Sequence, residues 1–130
     1  MTACYCKKII KELIPASPEP DSLQASLILE SKKLFAAETD LFNTWQYAAI
    51  QFADTITPDS AQAEFIFNEA YEIADNYNST NAQKAARALA KKAYTLRSHF
   101  RYKMLEAYMA YLMEDFNQAE NLVKHRIGPS

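Results

Sequence analysis

Glycine is almost absent from this chain, since Gly128 is the only one among 130 residues. Phosphate-binding loops, dinucleotide fingerprints and nucleophile elbows each need several glycines at sharp turns, so the sequence excludes these enzyme motifs. Sheet proteins also use glycine in their hairpins and bulges. The shortage therefore predicts a protein of helices joined by turns rich in Pro, Asn, Ser and Asp.

Cysteine and long apolar runs are scarce as well. Cys4 and Cys6 are the only two cysteines; they lie too close for an ordinary structural disulfide and fall one residue short of a zinc-binding C-x₂-C pair. No apolar run reaches the roughly 18 residues of a membrane span, and the first residues show no secretory signal. We therefore expect a cytoplasmic protein with no metal site, no cofactor and no membrane partner.

Acidic and histidine residues show no catalytic arrangement either. Glu69 and Glu72 stand three apart on a predicted helix, but no Glu-x-x-His pair accompanies them and a solvated face explains their spacing. Ser98 and His99 are sequence neighbours, which on a helix point about 100° apart instead of toward each other. The sequence therefore predicts a non-enzymatic protein.

What the chain does contain is enough apolar sequence for one domain, since 49% of its residues are hydrophobic. Three prolines between positions 15 and 20 interrupt any helix. We predict a short N-terminal helix and proline-rich linker over residues 1–20, and a helical bundle domain over residues 21–130. The expected fold class is all-α, a four- to five-helix bundle with a long C-terminal helix or helical hairpin.

Apolar periodicity places the first helices. Leu23, Leu27 and Leu34 share one face of a helix that follows the linker. The next stretch carries apolar residues at spacings of three and four, which predicts a core-facing helix whose members are Phe42, Trp45, Ala49, Phe52 and Ile56. Between the two, Thr39 or Asp40 is a candidate cap, although no Gly or Pro forces a break there.

Start signals place the later helices. Thr57 and Pro58 read as the N-cap and first residue of a helix that runs to about Tyr77. Thr80 and Gln83 form a T-x-x-Q capping box for the next one. From there an apolar stripe continues without a clear stop, through Leu89, Ala93, Leu96, Phe100, Met104, Tyr108 and Leu112. An unbroken helix over 81–126 would be about 70 Å long, so we expect that it bends, breaks or protrudes to meet a partner, and we place the break at 113–116 with Asp115 as N-cap.

The segment "EAYMAYLMEDFNQAENLVKHRIGPS", residues 106–130, resembles one tetratricopeptide hairpin. Ala107, Phe116, Ala119 and Pro129 stand near the matching places, and Glu114 stands where that family has its turn glycine. The resemblance covers one repeat, whereas a solenoid takes about three. It implies a helix–turn–helix, and we carry no function over from it.

Charge is strongly segregated along the chain although the net charge is only −2. Residues 15–78 hold 11 acidic and 2 basic side chains, whereas residues 79–130 hold 9 basic and 4 acidic ones. The basic block, residues 84–103, carries seven Lys or Arg and no Asp or Glu. Its candidate anion- or partner-binding residues are Lys84, Arg87, Lys91, Arg97 and Arg101.

Two functions remain open at this point. The favoured hypothesis is a small helical adaptor or regulatory protein that binds a protein partner or itself, as a homodimer, because the last helix is long enough to expose its apolar stripe. The alternative is anion or nucleic-acid binding through the basic block. Against the alternative, the acidic half of the chain could neutralise the block within the fold, where exposed ion pairs contribute about 0–1 kcal/mol each.

Overall fold

The computed structural model describes the backbone of residues 20–127 and the side chains of residues 23–124. That part of the chain is all-α, with six helices and no strand. The helices are α1 (Pro20–Thr39), α2 (Phe42–Ala53), α3 (Asp59–Asn76), α4 (Thr80–Leu96), α5 (Phe100–Leu112) and α6 (Phe116–Ile127). The predicted helix at 3–13, most of the linker and the stop at Gly128 lie outside the described residues.

Short connections pair the helices in chain order, α1 with α2, α3 with α4 and α5 with α6. α4 is the central helix, because it packs against α2, α3 and α5. Its buried face consists almost wholly of alanine: Ala82, Ala85, Ala86, Leu89, Ala90 and Ala93. Such small side chains let the neighbouring helix axes lie close to α4.

The predicted face of α1 is not the one that packs. Leu29 and Ala36 are buried, whereas Leu34 is 48% exposed and Leu23 and Leu27 are only half-buried. The three predicted leucines lie on the side of the helix opposite Leu29 and Ala36. α1 therefore packs on α2 through a second apolar row that the leucine spacing did not reveal.

The predicted core of α2 is largely confirmed, since Phe42, Trp45 and Ala49 are buried. Phe52 is half-buried and packs against the core, and Ile56 lies beyond the end of the helix. The break before α2, which the sequence left open, is present. The N-cap of α2 is Leu41, which follows the candidates Thr39 and Asp40, because Asp40 occupies the turn itself.

Two predicted caps are shifted by one residue. α3 begins at Asp59 with Pro58 as its N-cap, so Pro58 is not the first helical residue. The N-cap of α4 is Ser79, whose Oγ accepts a hydrogen bond from the backbone N–H of Ala82 at 3.1 Å. Ser79 fills the role predicted for Thr80, which becomes the first residue of the helix.

The long C-terminal stretch breaks twice, not once. The predicted break at 113–116 is confirmed, with α5 ending at Leu112 and α6 beginning at Phe116. A second break, which the sequence analysis missed, separates α4 from α5 at residues 97–99. The basic block therefore spans two helices. This extra break gives six described helices where four or five were expected.

The turns before α2 and before α6 have the same form. Asp40 and Glu114 adopt the left-handed conformation, with φ of 61° and 64°. In each turn the following N–H returns to a carbonyl five residues earlier, from Leu41 to Ala36 and from Asp115 to Ala110. This bond pattern is that of a Schellman helix end, which usually places glycine at the left-handed residue. The tetratricopeptide resemblance at Glu114 thus corresponds to a real helix–turn–helix.

Replacing Glu114 with glycine is expected to raise the free energy of unfolding by about 0.5–1 kcal/mol, because glycine adopts a positive φ without the steric cost of a Cβ atom. Chemical denaturation followed by circular dichroism measures the change. The matched control is Glu120→Gly on the exposed side of α6, which should lower stability by about 1 kcal/mol. Equal losses in both variants would contradict the role given to the turn.

Candidate functional site

The five predicted basic residues do not form one continuous surface. Lys84, Arg87 and Lys91 lie on α4, Arg97 follows the end of α4 with an extended backbone, and Arg101 lies in the first turn of α5. The break at 97–99 separates the first three from the last. Each residue therefore has its own surroundings.

Arg87 joins α4 to the turn between α5 and α6. Its guanidinium donates to the carboxylate of Asp115 at 2.8 Å and contacts the sulfur of Met113 at 3.9 Å. The Arg87 side chain is mostly buried, with 22% exposure. Asp115 belongs to the basic half of the chain, so this ion pair is not the neutralisation by the acidic half considered above.

Arg101 does pair with the acidic half. Its guanidinium donates to both carboxylate oxygens of Glu64 on α3, at 3.0 and 3.2 Å, and lies over the ring of Phe67. The buried hydroxyl of Tyr102 donates to Glu64 at 2.7 Å. This hydrogen bond, with smaller contributions from Arg101 and Arg97, lowers the pKa of Glu64 below its ordinary value. These contacts hold the start of α5 against α3.

The remaining cations of α4 point outward. Lys84, Lys91 and the neighbouring Lys92 are exposed, and none of them forms an ion pair with another side chain in residues 23–124. Lys91 acts at longer range on Glu106, whose pKa is raised by burial although Lys91 and Arg87 oppose the shift. The outer surface of α4 is therefore a small basic patch of three lysines.

A row of exposed apolar side chains runs along α5. Phe100, Met104, Tyr108 and Tyr111 follow one another at helical spacing along its outer side, and each is 39–57% exposed. We call these four residues the α5 face. Three of them belong to the stripe that the sequence analysis assigned to the long helix. Only the first part of that stripe, Leu89 and Ala93 on α4, is buried.

Hollows flank the α5 face on both sides. On the α3 side a hollow of about 720 Å³ is bounded by Phe67, Tyr71 and Leu105. On the α6 side a hollow of about 710 Å³ is bounded by Phe116, Ala119 and Val123. Met104 and Tyr108 line both hollows, so they form the ridge between them. The aromatic surface thus extends across three helices.

An ion cluster beneath α1 was not anticipated. Lys33 is buried, and its ammonium lies 3.3 Å from Glu69, 3.0 Å from Glu72 and 3.1 Å from Glu30. The indole N–H of Trp45 donates to Glu69 at 2.8 Å. The solvated face predicted for Glu69 is therefore wrong: its side chain is only 10% exposed, because α1 and α2 cover it.

The buried cluster shifts the pKa of both partners. Burial alone would lower the pKa of Lys33, but the hydrogen bond to Glu72 and the charges of Glu69 and Glu30 more than compensate and raise it. Burial raises the pKa of Glu69, and the hydrogen bond from Trp45 and the charge of Lys33 offset only part of this increase. The cluster therefore keeps its lysine charged and holds three helices together through one buried group.

His99 has a structural place in the break between α4 and α5. It is the N-cap of α5, where its Nδ1 accepts the backbone N–H of Arg101 at 3.1 Å. Its ring packs against Phe100 and Tyr102. The pair Ser98-His99 therefore lies within this break, where His99 caps the helix that follows.

Neither a metal cluster nor a membrane span is found in the described part of the chain. Among residues 23–124, whose side chains the structure describes, no group of three or more His, Cys, Asp or Glu is placed to hold a metal ion. Their helices are too short or too polar to cross a bilayer. Comparison with protein-family models, with curated proteins and with solved structures finds no match to this chain.

Proposed function

We propose that the protein is a non-enzymatic helical adaptor that binds another protein through the α5 face. The observation that carries this proposal is the exposure of four large apolar side chains in one row, between two apolar hollows. Contiguous apolar patches of this kind are uncommon on monomers and mark interaction sites. Aromatic residues and methionine are also the side chains enriched at the centres of protein interfaces.

The chemistry around the face favours recognition over catalysis. The polar side chains beside the hollows, such as Asn68, Arg101 and Glu120, stand among apolar neighbours. Within the described residues, neither hollow is lined by a serine, cysteine or histidine side chain. The shape of the α5 face, an apolar ridge between two hollows, suits the apolar side chains of a partner.

Anion or nucleic-acid binding remains the alternative, although fewer of the predicted basic residues are available for it. Arg87 and Arg101 already hold carboxylates, which leaves Lys84, Lys91 and Lys92 on the outer side of α4 and Arg97 beyond its end. Three exposed lysines neutralise few phosphates, so such binding would be weak and strongly dependent on salt. The α5 face is the larger and more specific feature.

Selection from a displayed random-peptide library tests the proposal. Peptides selected on the wild-type protein should be rich in apolar residues, and Tyr108→Arg should weaken their binding by at least tenfold, or about 1.4 kcal/mol. The matched control is Tyr47→Arg, which alters a tyrosine of similar exposure on α2 and should leave binding unchanged. Peptides that bind all three proteins equally, or no selection from a dilute, monomeric sample, would refute the proposed function.

A further inference from the structure

The geometry points to a second copy of this chain as the occupant of the α5 face, with the two α5 helices antiparallel across a twofold axis. This inference rests on the proposed function and names its partner. Three properties of the face support it: the amount of apolar surface, the shape of the ridge and hollows, and the distribution of charge around them.

The apolar area is large enough for one side of a stable dimer. Six large side chains on or beside the face are each 39–57% exposed: Tyr71, Phe100, Met104, Tyr108, Tyr111 and Phe116. Since an aromatic side chain buries about 150–250 Å² in full, these six present about 600 Å² together. A standard interface covers about 800 Å² per partner, of which about 60% is apolar. The face, together with Tyr71 and Phe116 beside it, therefore supplies the apolar centre of such an interface.

The shape of the face is complementary to itself. A twofold interface uses the same patch on both subunits, so the patch must contain both the protruding and the receiving part. Here Met104 and Tyr108 form the ridge, and the hollows beside them receive side chains of similar size. The ridge of one copy can thus lie in a hollow of the other, and the reverse contact follows by symmetry.

The charges around the face differ between its two ends. Near the start of α5 the exposed basic charges are Arg97 and, on α6, Lys124, while the charge of Arg101 is already paired with Glu64. Beyond the end of α5 they are acidic, Glu114 in the turn and Asp75 near the end of α3. α3 runs alongside α5 in the same direction, because Glu64 meets Arg101 and Tyr71 shares a hollow with Tyr108.

This polarity selects the antiparallel arrangement. When the two α5 helices run in opposite directions, the basic end of each copy faces the acidic end of the other. A parallel pair would bring like charges together at both ends, which is unfavourable across an interface. The four residues of the α5 face carry no charge, and the charged side chains Arg101, Glu120 and Lys124 line the hollows beside it.

Sedimentation velocity of the reduced protein over a concentration series tests whether the partner is a second copy of the chain. We expect a dimer at tens of micromolar, a Tyr108→Arg variant that is at least a hundredfold weaker in self-association, and a Tyr47→Arg control that matches the wild type. Because Tyr108 is 57% exposed, circular dichroism should show an unchanged fold. A clean monomer for the wild type, or an undiminished dimer for Tyr108→Arg, would overturn the inference.

Cross-linking tests the orientation. In a background of Cys4→Ser and Cys6→Ser, a mixture of the Ser98→Cys and Glu114→Cys proteins should cross-link to each other, while each protein alone should cross-link little. These positions flank the two ends of α5 and are exposed. Efficient cross-linking of Ser98→Cys to itself would overturn the antiparallel arrangement.

The two proposals fail differently. A monomeric protein that still binds selected peptides through Tyr108 would refute the second copy as partner and leave the adaptor function standing. A monomeric protein for which no peptide depends on Tyr108 would refute both.

Discussion

Replacing Lys33 with methionine is expected to lower the free energy of unfolding by about 3 kcal/mol, which is a large part of a typical domain stability of about 5–15 kcal/mol. Methionine keeps most of the apolar stem but removes the ammonium group. Glu69 then remains buried with only the Trp45 N–H for compensation. Removing one partner of a buried ion pair is costly because the other charge is left in a poorly solvated place.

Chemical denaturation followed by circular dichroism measures this loss of unfolding free energy, and two further variants identify its cause. Lys32→Met on the exposed side of α1 should change stability by less than about 0.5 kcal/mol. Lys33→Met combined with Glu69→Gln should recover most of the loss, because the glutamine oxygen still accepts the Trp45 N–H and carries no charge. A Lys33→Met protein as stable as wild type would contradict the role of the cluster.

The loss should also depend on pH in a definite direction. Burial already raises the pKa of Glu69 in the folded wild-type protein, and removal of the Lys33 charge raises it further. A carboxyl whose folded-state pKa is raised stabilises the fold when protonated, and this contribution is lost as the pH rises through that pKa. The difference between Lys33→Met and wild type should therefore narrow as the pH falls from neutrality toward 5.

Replacing Trp45 with alanine is expected to cost even more, about 4–5 kcal/mol, since large core aromatics are the most expensive residues to truncate. Trp45 is 1% exposed and packs against the rings of Phe42 and Tyr77. The substitution leaves a cavity between α2 and α3 and also removes the N–H that Glu69 accepts. Both effects act in the same direction.

Because Trp45 is the only tryptophan, circular dichroism is the suitable probe for this variant. Trp45→Phe separates the two effects: it keeps much of the ring volume but loses the hydrogen bond, and should cost about 1–3 kcal/mol. Tyr47→Ala, two residues away and 65% exposed, is the control for helix propensity. A Trp45→Ala protein no less stable than Tyr47→Ala would show that the α2–α3 core is not organised around this ring.

The sequence pattern predicted those parts of the fold that depend on residues close together in the chain. The apolar spacing in α2 indicated Phe42, Trp45 and Ala49 as core, and all three are buried. The shortage of glycine indicated an all-α chain. The length of the last stretch indicated a break, and the polar residues at 113–116, with Asp115 as a candidate N-cap, indicated its place.

What the sequence could not show depends on contacts between distant residues. Hydropathy marks Lys33 and Glu69 as exposed, yet they are buried together because their charges meet 36 positions apart. The break at 97–99 has no Gly or Pro, and it is held instead by Arg101 and Tyr102 on Glu64. For the same reason one apolar stripe is core on α4 and surface on α5: helical periodicity records which residues align, and the neighbouring helices decide whether they are covered.

The attachment of α6 has a consequence for how the molecule opens. Its main packing partner is α5 alone, whereas α4 is enclosed by three helices. In an array of helices that contact their neighbours, the cost of local unfolding rises from the ends toward the middle. α6 is thus among the elements that detach most cheaply, and its release would remove one wall of the hollow beside Tyr108. The apolar surface of α5 is therefore bounded on one side by α3, which also packs against α2 and α4, and on the other by a helix whose main support is α5 itself.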